Sequence, residues 1–378
     1  MDLQATNEQS LLADSALRFL AKEYKAAHGG RRVNGEDGVD RAMWARFAEM
    51  GWLGIGIPEE HGGLGGGPVE TSILAEAFGR HLVAEPFLAT VVLAGTVLGQ
   101  CGDRVGSLLG EIAQGEKIVA VAHAEPRSRY DLAQVETRAV RAGTAYRLSG
   151  EKAVVLNGAD ADRLIVSART GGAARDTVGV TLFLLPRDAP GLSLRPYRTA
   201  DGQRAAELSL NAVTVEADSV LGEAGDGLRL IEHSVDAALI ALSAEAVGAM
   251  SAVIEQTREY LRTRVQFGVP IGTFQVLQHR LVDMFMAASL ARSTVEVAAR
   301  AMADPDESPR IKSRLASAAK VQAGRAGRLV GQEAVQMHGG MGMTDELPVG
   351  RYFKRLTMID LTFGDADHHQ RRFADLDG

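Results

Sequence analysis

Cysteine is almost absent from this chain of 378 residues: Cys101 stands alone. One thiol excludes an intrachain disulfide and a zinc site built from cysteines, and it points to a reducing compartment. Positive charge is not concentrated either. Lys and Arg number 41 against 48 Asp and Glu, for a net charge of −7, and the two signs are interspersed. Phosphate backbones require a dense basic face, so no nucleic-acid partner is expected. Long apolar runs are missing too. The best window, around Ala237 to Ala249, is interrupted by Glu245; roughly 20 apolar residues are needed to cross a bilayer, so no membrane insertion is expected. Asp2, Glu8 and Asp14 stand where a secretory signal needs basic residues and then an unbroken apolar stretch, and the expected location is the cytoplasm. What remains is ordinary globular composition, 46% hydrophobic and 24% charged. The chain exceeds the roughly 100 to 200 residues of one domain, so two or three units are expected.

The first third reads as helices. Leu12, Ala16, Phe19 and Leu20 recur at helical spacing, as do Met43, Phe47, Met50 and Leu53. The stretch GIPEEHGGLGGG that follows must be a loop, because Pro58 and its glycines break a helix. It is not a dinucleotide fingerprint, since no strand leads into it and no βαβ unit surrounds it. From Ile118 to about Leu221 the texture changes to short β-type runs, Val119–Ala122, Arg138–Val140, Leu164–Val166 and Thr181–Leu185, separated by Gly and Pro. After Gly227 the helical period returns, with Ile231, Val235, Leu239, Leu242, Met250 and Ile254 in one stripe. Breaks at Pro270–Gly272, Pro305–Pro309 and Gly339–Gly342 divide this third into four segments that should bundle. The expected boundaries are a helical domain over 1–116, a β domain over 117–225 and a helical domain over 226–378, an α+β chain.

Two segments of the last third place polar residues and glycines at helix ends. Arg264-Val265-Gln266-Phe267-Gly268 runs on to Gly272-Thr273-Phe274-Gln275. An arginine beside the start of the next helix offers a guanidinium and free N–H groups, a site for a pyrophosphate; the alternative is that Arg264 only caps carbonyls. The second segment is Gln336-Met337-His338-Gly339-Gly340-Met341-Gly342. Its glycines leave room for a flat ring, or they simply end a helix.

In this order and spacing, with GIPEEHGGLGGG, the AEP at Ala124–Pro126, KAVVLNGADADRLIVSART, TRVQFGVPIGTFQVLQH and QMHGGMG before GRYFKR, the chain resembles the acyl-CoA dehydrogenase family over nearly its whole length. The resemblance implies a helical amino domain, a middle β-barrel and a carboxy-terminal four-helix bundle around FAD, with one subunit's bundle reaching into its neighbour's cofactor site. It would place Arg264 and Gln266 on the pyrophosphate, and Phe267, Ile271, Phe274 and Gln275 on the adenosine side. Gln336, Gly339 and Gly340 would complete the same half. Implied partners are an acyl-CoA substrate, an electron-transferring flavoprotein and other subunits.

The departures are as informative. The family removes the α-proton of an acyl thioester with a carboxylate in an apolar pocket and passes the β-hydride to flavin. Phe363 stands where the usual glutamate would be, and Ala238 falls at the other position used by relatives. On the β side Ala124, Tyr130, Val154 and Leu156 replace the hydroxyl and Trp-x-Thr partners of the flavin ring. The resemblance therefore implies a non-catalytic partner in an α2β2 heteromer that donates contacts to FAD held by a related subunit. The tail TFGDADHH is similar to the small subunits of pimeloyl-CoA dehydrogenases. One alternative is a self-sufficient homo-oligomer with Glu245 or Asp365 as base. Another is a helical scaffold that has lost the cofactor, against which Arg264, expected as a buried guanidinium, would argue. Asp365, Asp367, His368 and His369 are not expected to bind metal, because adjacent side chains rarely aim at one ion.

Overall fold

The structure, a computed structural model, describes residues 5–24, 38–344 and 346–377. The chain forms two compact units, interleaved along the sequence: Met1–Asn34, Pro68–Val83 and Leu239–Gly378 make one, Gly35–Gly67 and Ala84–Ala238 the other. The helices, in chain order, are α1 Asn7–Phe19, α2 Arg41–Glu49, α3 Pro68–His81, α4 Gly95–Leu98, α5 Gly106–Ala113, α6 Gly227–Thr263, α7 Gln275–Ala303, α8 Pro309–His338, α9 Val349–Leu361 and α10 Ala366–Asp375. Their starts follow local chemistry. Thr6 and Gln9 close a capping box on α1, and Asp40 caps α2. Ser308 accepts from the Ile311 N–H ahead of α8, whose first residue is Pro309, where a missing N–H costs nothing.

The second unit is built on one eight-stranded sheet. Its strands are β1 Val119–Ala122, β2 Arg138–Ala142, β3 Ala145–Leu156, β4 Arg163–Arg169, β5 Val180–Pro186, β6 Leu192–Arg198, β7 Arg204–Glu216 and β8 Val220–Leu221. The hydrogen-bonded order is β6-β7-β3-β2-β4-β5-β8, with β1 pairing in parallel to β4. β6 and β8 end the path, so the expected barrel is an open path by hydrogen bonding. β4 is buried along almost its whole length, whereas β6, carrying Pro196, alternates as an edge strand must. Arg169, at the end of β4, donates to the carbonyls of Ala133, Val135, Ala174, Asp176 and Val178. That single guanidinium ties the loop before β2 to the β4–β5 hairpin.

The first unit packs α3 against the later part of α6 with their backbones in contact. A Cβ on Gly79 would lie 1.9 Å from the Glu245 carbonyl oxygen, and one on Gly248 would lie 1.8 Å from that of Glu76. Only glycine fits. Gly248→Ala must part the two helices, and a loss of about 1–3 kcal/mol or more is expected, read from the denaturation midpoint. An unchanged midpoint would show that the crossing is not tight. α6 also corrects one expectation: by length and hydropathy it could span a bilayer. Its most apolar window is 83% buried within the protein, so this apolarity belongs to the core. The last expected segment is further divided, because Phe363 and Gly364 take φ of +59° and +118° and separate α9 from α10.

Candidate functional site

After α6 the chain makes a two-residue hairpin. Val265–Gln266 pairs with Val269–Pro270, and the turn residues Phe267 and Gly268 have φ of +54° and +81°. Two positive φ angles give the twist that a tight hairpin needs, but a phenylalanine there is strained by about 1–2 kcal/mol. The result is a ring 93% exposed at the hairpin tip, set edge-on to Phe274 at 6.3 Å. The Ile271 N–H closes back on the Arg264 carbonyl at 2.8 Å, and the Gln278 side chain donates to the Gly272 carbonyl at 2.8 Å. Helix α7 then starts at Gln275 with no side-chain cap. Arg264, Gln266, Phe274 and Gln275 are exposed and Ile271 half-buried. Arg264 is thus not the buried guanidinium expected; its charge faces outward, where it can meet an anion.

The second segment lies alongside. Tyr260, one turn before Arg264, stacks on His338 with ring centroids 4.4 Å apart and planes 28° apart, and its hydroxyl donates to the His338 carbonyl at 3.5 Å. Gln336, Gly339 and Gly340 are exposed, and a Cβ on either glycine would meet nothing within 4 Å. Gly339 has φ of +58° and ends α8. It therefore closes the helix, and both glycines border open space. Tyr260 was not singled out in the sequence, because its partner is far along the chain.

The loop at Phe363 is held by two side chains. Lys320 donates to the carbonyls of Asp360, at 2.8 Å, and Gly364. His369 donates from Nε2 to the Phe363 carbonyl at 3.0 Å, while its Nδ1 lies 3.4 Å from the Ser317 hydroxyl. Burial pushes Lys320 down to about 8; burial and the nearby Lys320 charge push His369 down to about 3. Both alternative bases prove to be engaged. Glu245, buried, receives two hydrogen bonds from the half-buried Arg355, at 2.6 and 2.7 Å. Asp365 accepts from the His368 N–H at 2.8 Å and caps α10. Both His369 nitrogens are thus within hydrogen-bonding distance of protein oxygens.

In the sheet unit, Ala124 is tied to β3 by its carbonyl, which accepts from the Ala153 N–H at 2.9 Å. Val154 sits at a register shift of β3 with φ of +52° and is exposed, while Tyr130 and Leu156 are half-buried. Beside them Lys152, wholly buried, pairs with Glu125 at 2.7 Å and donates to Ser167 at 2.9 Å. One group of metal-ligand types does occur among the described residues. Glu60, His61 and Asp103 bring their ligand atoms within 4.8 Å. Both carboxylates are largely in water, where attraction to a cation is screened.

Comparison with known proteins gives a consistent picture. Residues 6–106, 120–214 and 225–375 match the models described as acyl-CoA dehydrogenase N-terminal, middle and C-terminal domains. A mitochondrial 2-methylacyl-CoA dehydrogenase of Solanum tuberosum is 30% identical over 332 residues, covering 86% of this chain and 79% of the relative. A solved variant of the Tcur3481–Tcur3483 steroid ACAD is 31% identical with a TM-score of 0.87, covering 98% of this chain and 97% of its own. The ChsE4–ChsE5 complex of Mycobacterium tuberculosis is 27% identical with a TM-score of 0.87, covering 99% and 98%.

Proposed function

Because the chain belongs to the acyl-CoA dehydrogenase family, we propose that it is the base-lacking partner subunit of a cytoplasmic, heteromeric, FAD-dependent acyl-CoA dehydrogenase. One observation carries this reading: the loop expected to present the base carries Phe363, and the nearest alternatives, Glu245 and Asp365, are committed to Arg355 and to the cap of α10. A phenyl ring takes no proton, so α-proton abstraction falls to a related subunit.

The nucleotide half of the site is of the right chemistry. Arg264 and Gln266 would hold the pyrophosphate as an exposed guanidinium and amide, and the open gap at Gly339 and Gly340 would admit the rest of that half beside Gln336. Phe267, Ile271, Phe274 and Gln275 would flank the adenosine. The chemistry that bound FAD would supply is acceptance of a hydride from the β-carbon of the acyl-CoA. This chain binds and orients the nucleotide end, and an electron-transferring flavoprotein is the proposed acceptor. The apolar side chains Val276, Val282, Phe285, Met286 and Leu290 of α7, each more than half exposed, support the proposal of a partner. The solved ChsE4–ChsE5 relative is itself a complex of two named proteins, and the likeness of the tail to pimeloyl-CoA dehydrogenase small subunits supports the same arrangement.

Flavin absorbance tests the proposal. The chain purified alone is expected to be colourless, and the assembly with its partner yellow and bleached by an acyl-CoA. Arg264→Ala in the assembly should weaken FAD retention by about tenfold or more, the worth of a charge-assisted contact. A chain that is yellow and bleached on its own would refute the partner role.

A further inference from the structure

Resting on that reading of the nucleotide site, we propose that Tyr260 and His338 are its positioning residues: their stacked rings form a clasp that sets the Arg264 segment in register with the Gly339–Gly340 gap. Neither residue is exposed. Tyr260 is half-buried on the last turns of α6, and His338 is buried as the last residue of α8. Each is joined directly to a ligand-facing segment. The Arg264 N–H donates to the Tyr260 carbonyl at 2.8 Å, so the arginine hangs from the turn that Tyr260 anchors. His338 immediately precedes Gly339, whose left-handed φ starts the gap.

The clasp is fixed at both ends. On the His338 side, Nδ1–H donates to the Ala334 carbonyl at 2.8 Å, which sets the plane of the imidazole. On the Tyr260 side, the phenol hydroxyl reaches across 78 residues to the His338 carbonyl, the last peptide before the glycines. Ring stacking fixes the spacing of the two segments, and the hydroxyl, at 3.5 Å, adds only a weak tie. A flat contact of this kind is worth more than its buried area alone, and it acts on two elements that are otherwise separate in sequence. The exposed residues Arg264, Gln336, Gly339 and Gly340 then need no contact with one another to be held in one arrangement before a nucleotide arrives, which lowers the ordering cost of binding.

The test compares Tyr260→Phe, Tyr260→Leu and His338→Leu with Arg264→Ala in the assembly as isolated from its host. It reads FAD affinity by fluorescence, and hydrogen exchange of residues 264–274 and 339–343. Tyr260→Phe keeps the stack and should bind FAD within about twofold of the parent. Tyr260→Leu and His338→Leu should each weaken FAD by about tenfold, the upper worth of an aromatic pair. Combined, they should weaken it no more than either alone. Exchange should rise in both segments together, whichever ring is removed. Exchange that rises only in the segment carrying the substitution, or FAD affinity unchanged in both leucine variants while Arg264→Ala weakens it, overturns the clasp and leaves the site reading intact. If Arg264→Ala has no effect on FAD, the site reading itself fails, and the exchange coupling still decides the clasp. Should Tyr260→Leu fail to fold, His338→Leu supplies the same measurement from the other ring.

Discussion

Glu125→Ala is expected to destabilise the protein by about 3–5 kcal/mol, the cost of leaving a buried charge without its partner. Lys152 is wholly buried, and its ammonium is balanced by the Glu125 carboxylate at 2.7 Å. That carboxylate also accepts from the backbone N–H groups of Glu136 and Thr137, at 2.6 and 3.1 Å. Burial would raise the pKa of Glu125, but Lys152 and these hydrogen bonds outweigh it and hold the group below its usual value. Burial pushes Lys152 down to about 8 in spite of Glu125. The substitution therefore leaves one orphaned cation and two N–H groups without their acceptor, and frees the loop from Ala124 to Thr137. A paired change, Glu125→Leu with Lys152→Met, should recover most of the loss, because it removes both charges and fills the space. Chemical denaturation of the three proteins decides this. A single variant as stable as the parent would show that the pair is solvated.

Acid lability is the second large effect. Burial, with the charge of Lys152, pushes His123 down to about 4; burial, with the charges of Lys320, His368 and Arg372, pushes His369 down to about 3. Both stay neutral in the folded protein at a pH where the unfolded chain, titrating near 6.5, takes up protons. Their contribution is thus complete above about 6.5 and is lost as pH falls toward the folded values. Between pH 7 and pH 5 each should remove about 2 kcal/mol of stability. Glu125, with its lowered pKa, adds to the loss only at lower pH. Denaturation midpoints across this range measure the slope, and His369→Gln should flatten about half of it. A midpoint unchanged from pH 7 to pH 5 would place both imidazoles in contact with water. Since His369 supports the Phe363 carbonyl, the same acidification should loosen the loop between α9 and α10.

What could be read along the chain depended on whether its signal was local. The long stripe from Ile231 to Ile254 became α6, because a buried helix repeats its apolar residues at a period that any window reveals. Strands β4 and β5 were equally visible as apolar runs, being buried on both faces. Strands β3, β6 and β7 were missed. Each mixes charged residues into an outward face, as in Arg147, Glu151, Arg195 and Glu207, so no continuous run marks it. In the site, Arg264 and the Gly339–Gly340 pair stood out because glycines and a helix-end arginine are local features. The Tyr260–His338 stack, the Lys320 grip on the Phe363 loop and the Arg355–Glu245 pair were invisible. Each joins residues from different helices, and only folding reveals them.

A hairpin that carries a bare phenyl ring into water has a consequence for handling the polypeptide. Alone, it offers Phe267 as an adhesive point to any apolar surface it meets. Its yield should fall with concentration and, on the proposed heteromeric reading, recover when a cognate chain is made in the same cell, so that synthesis of the two in balanced amounts would become a condition of keeping this one in solution.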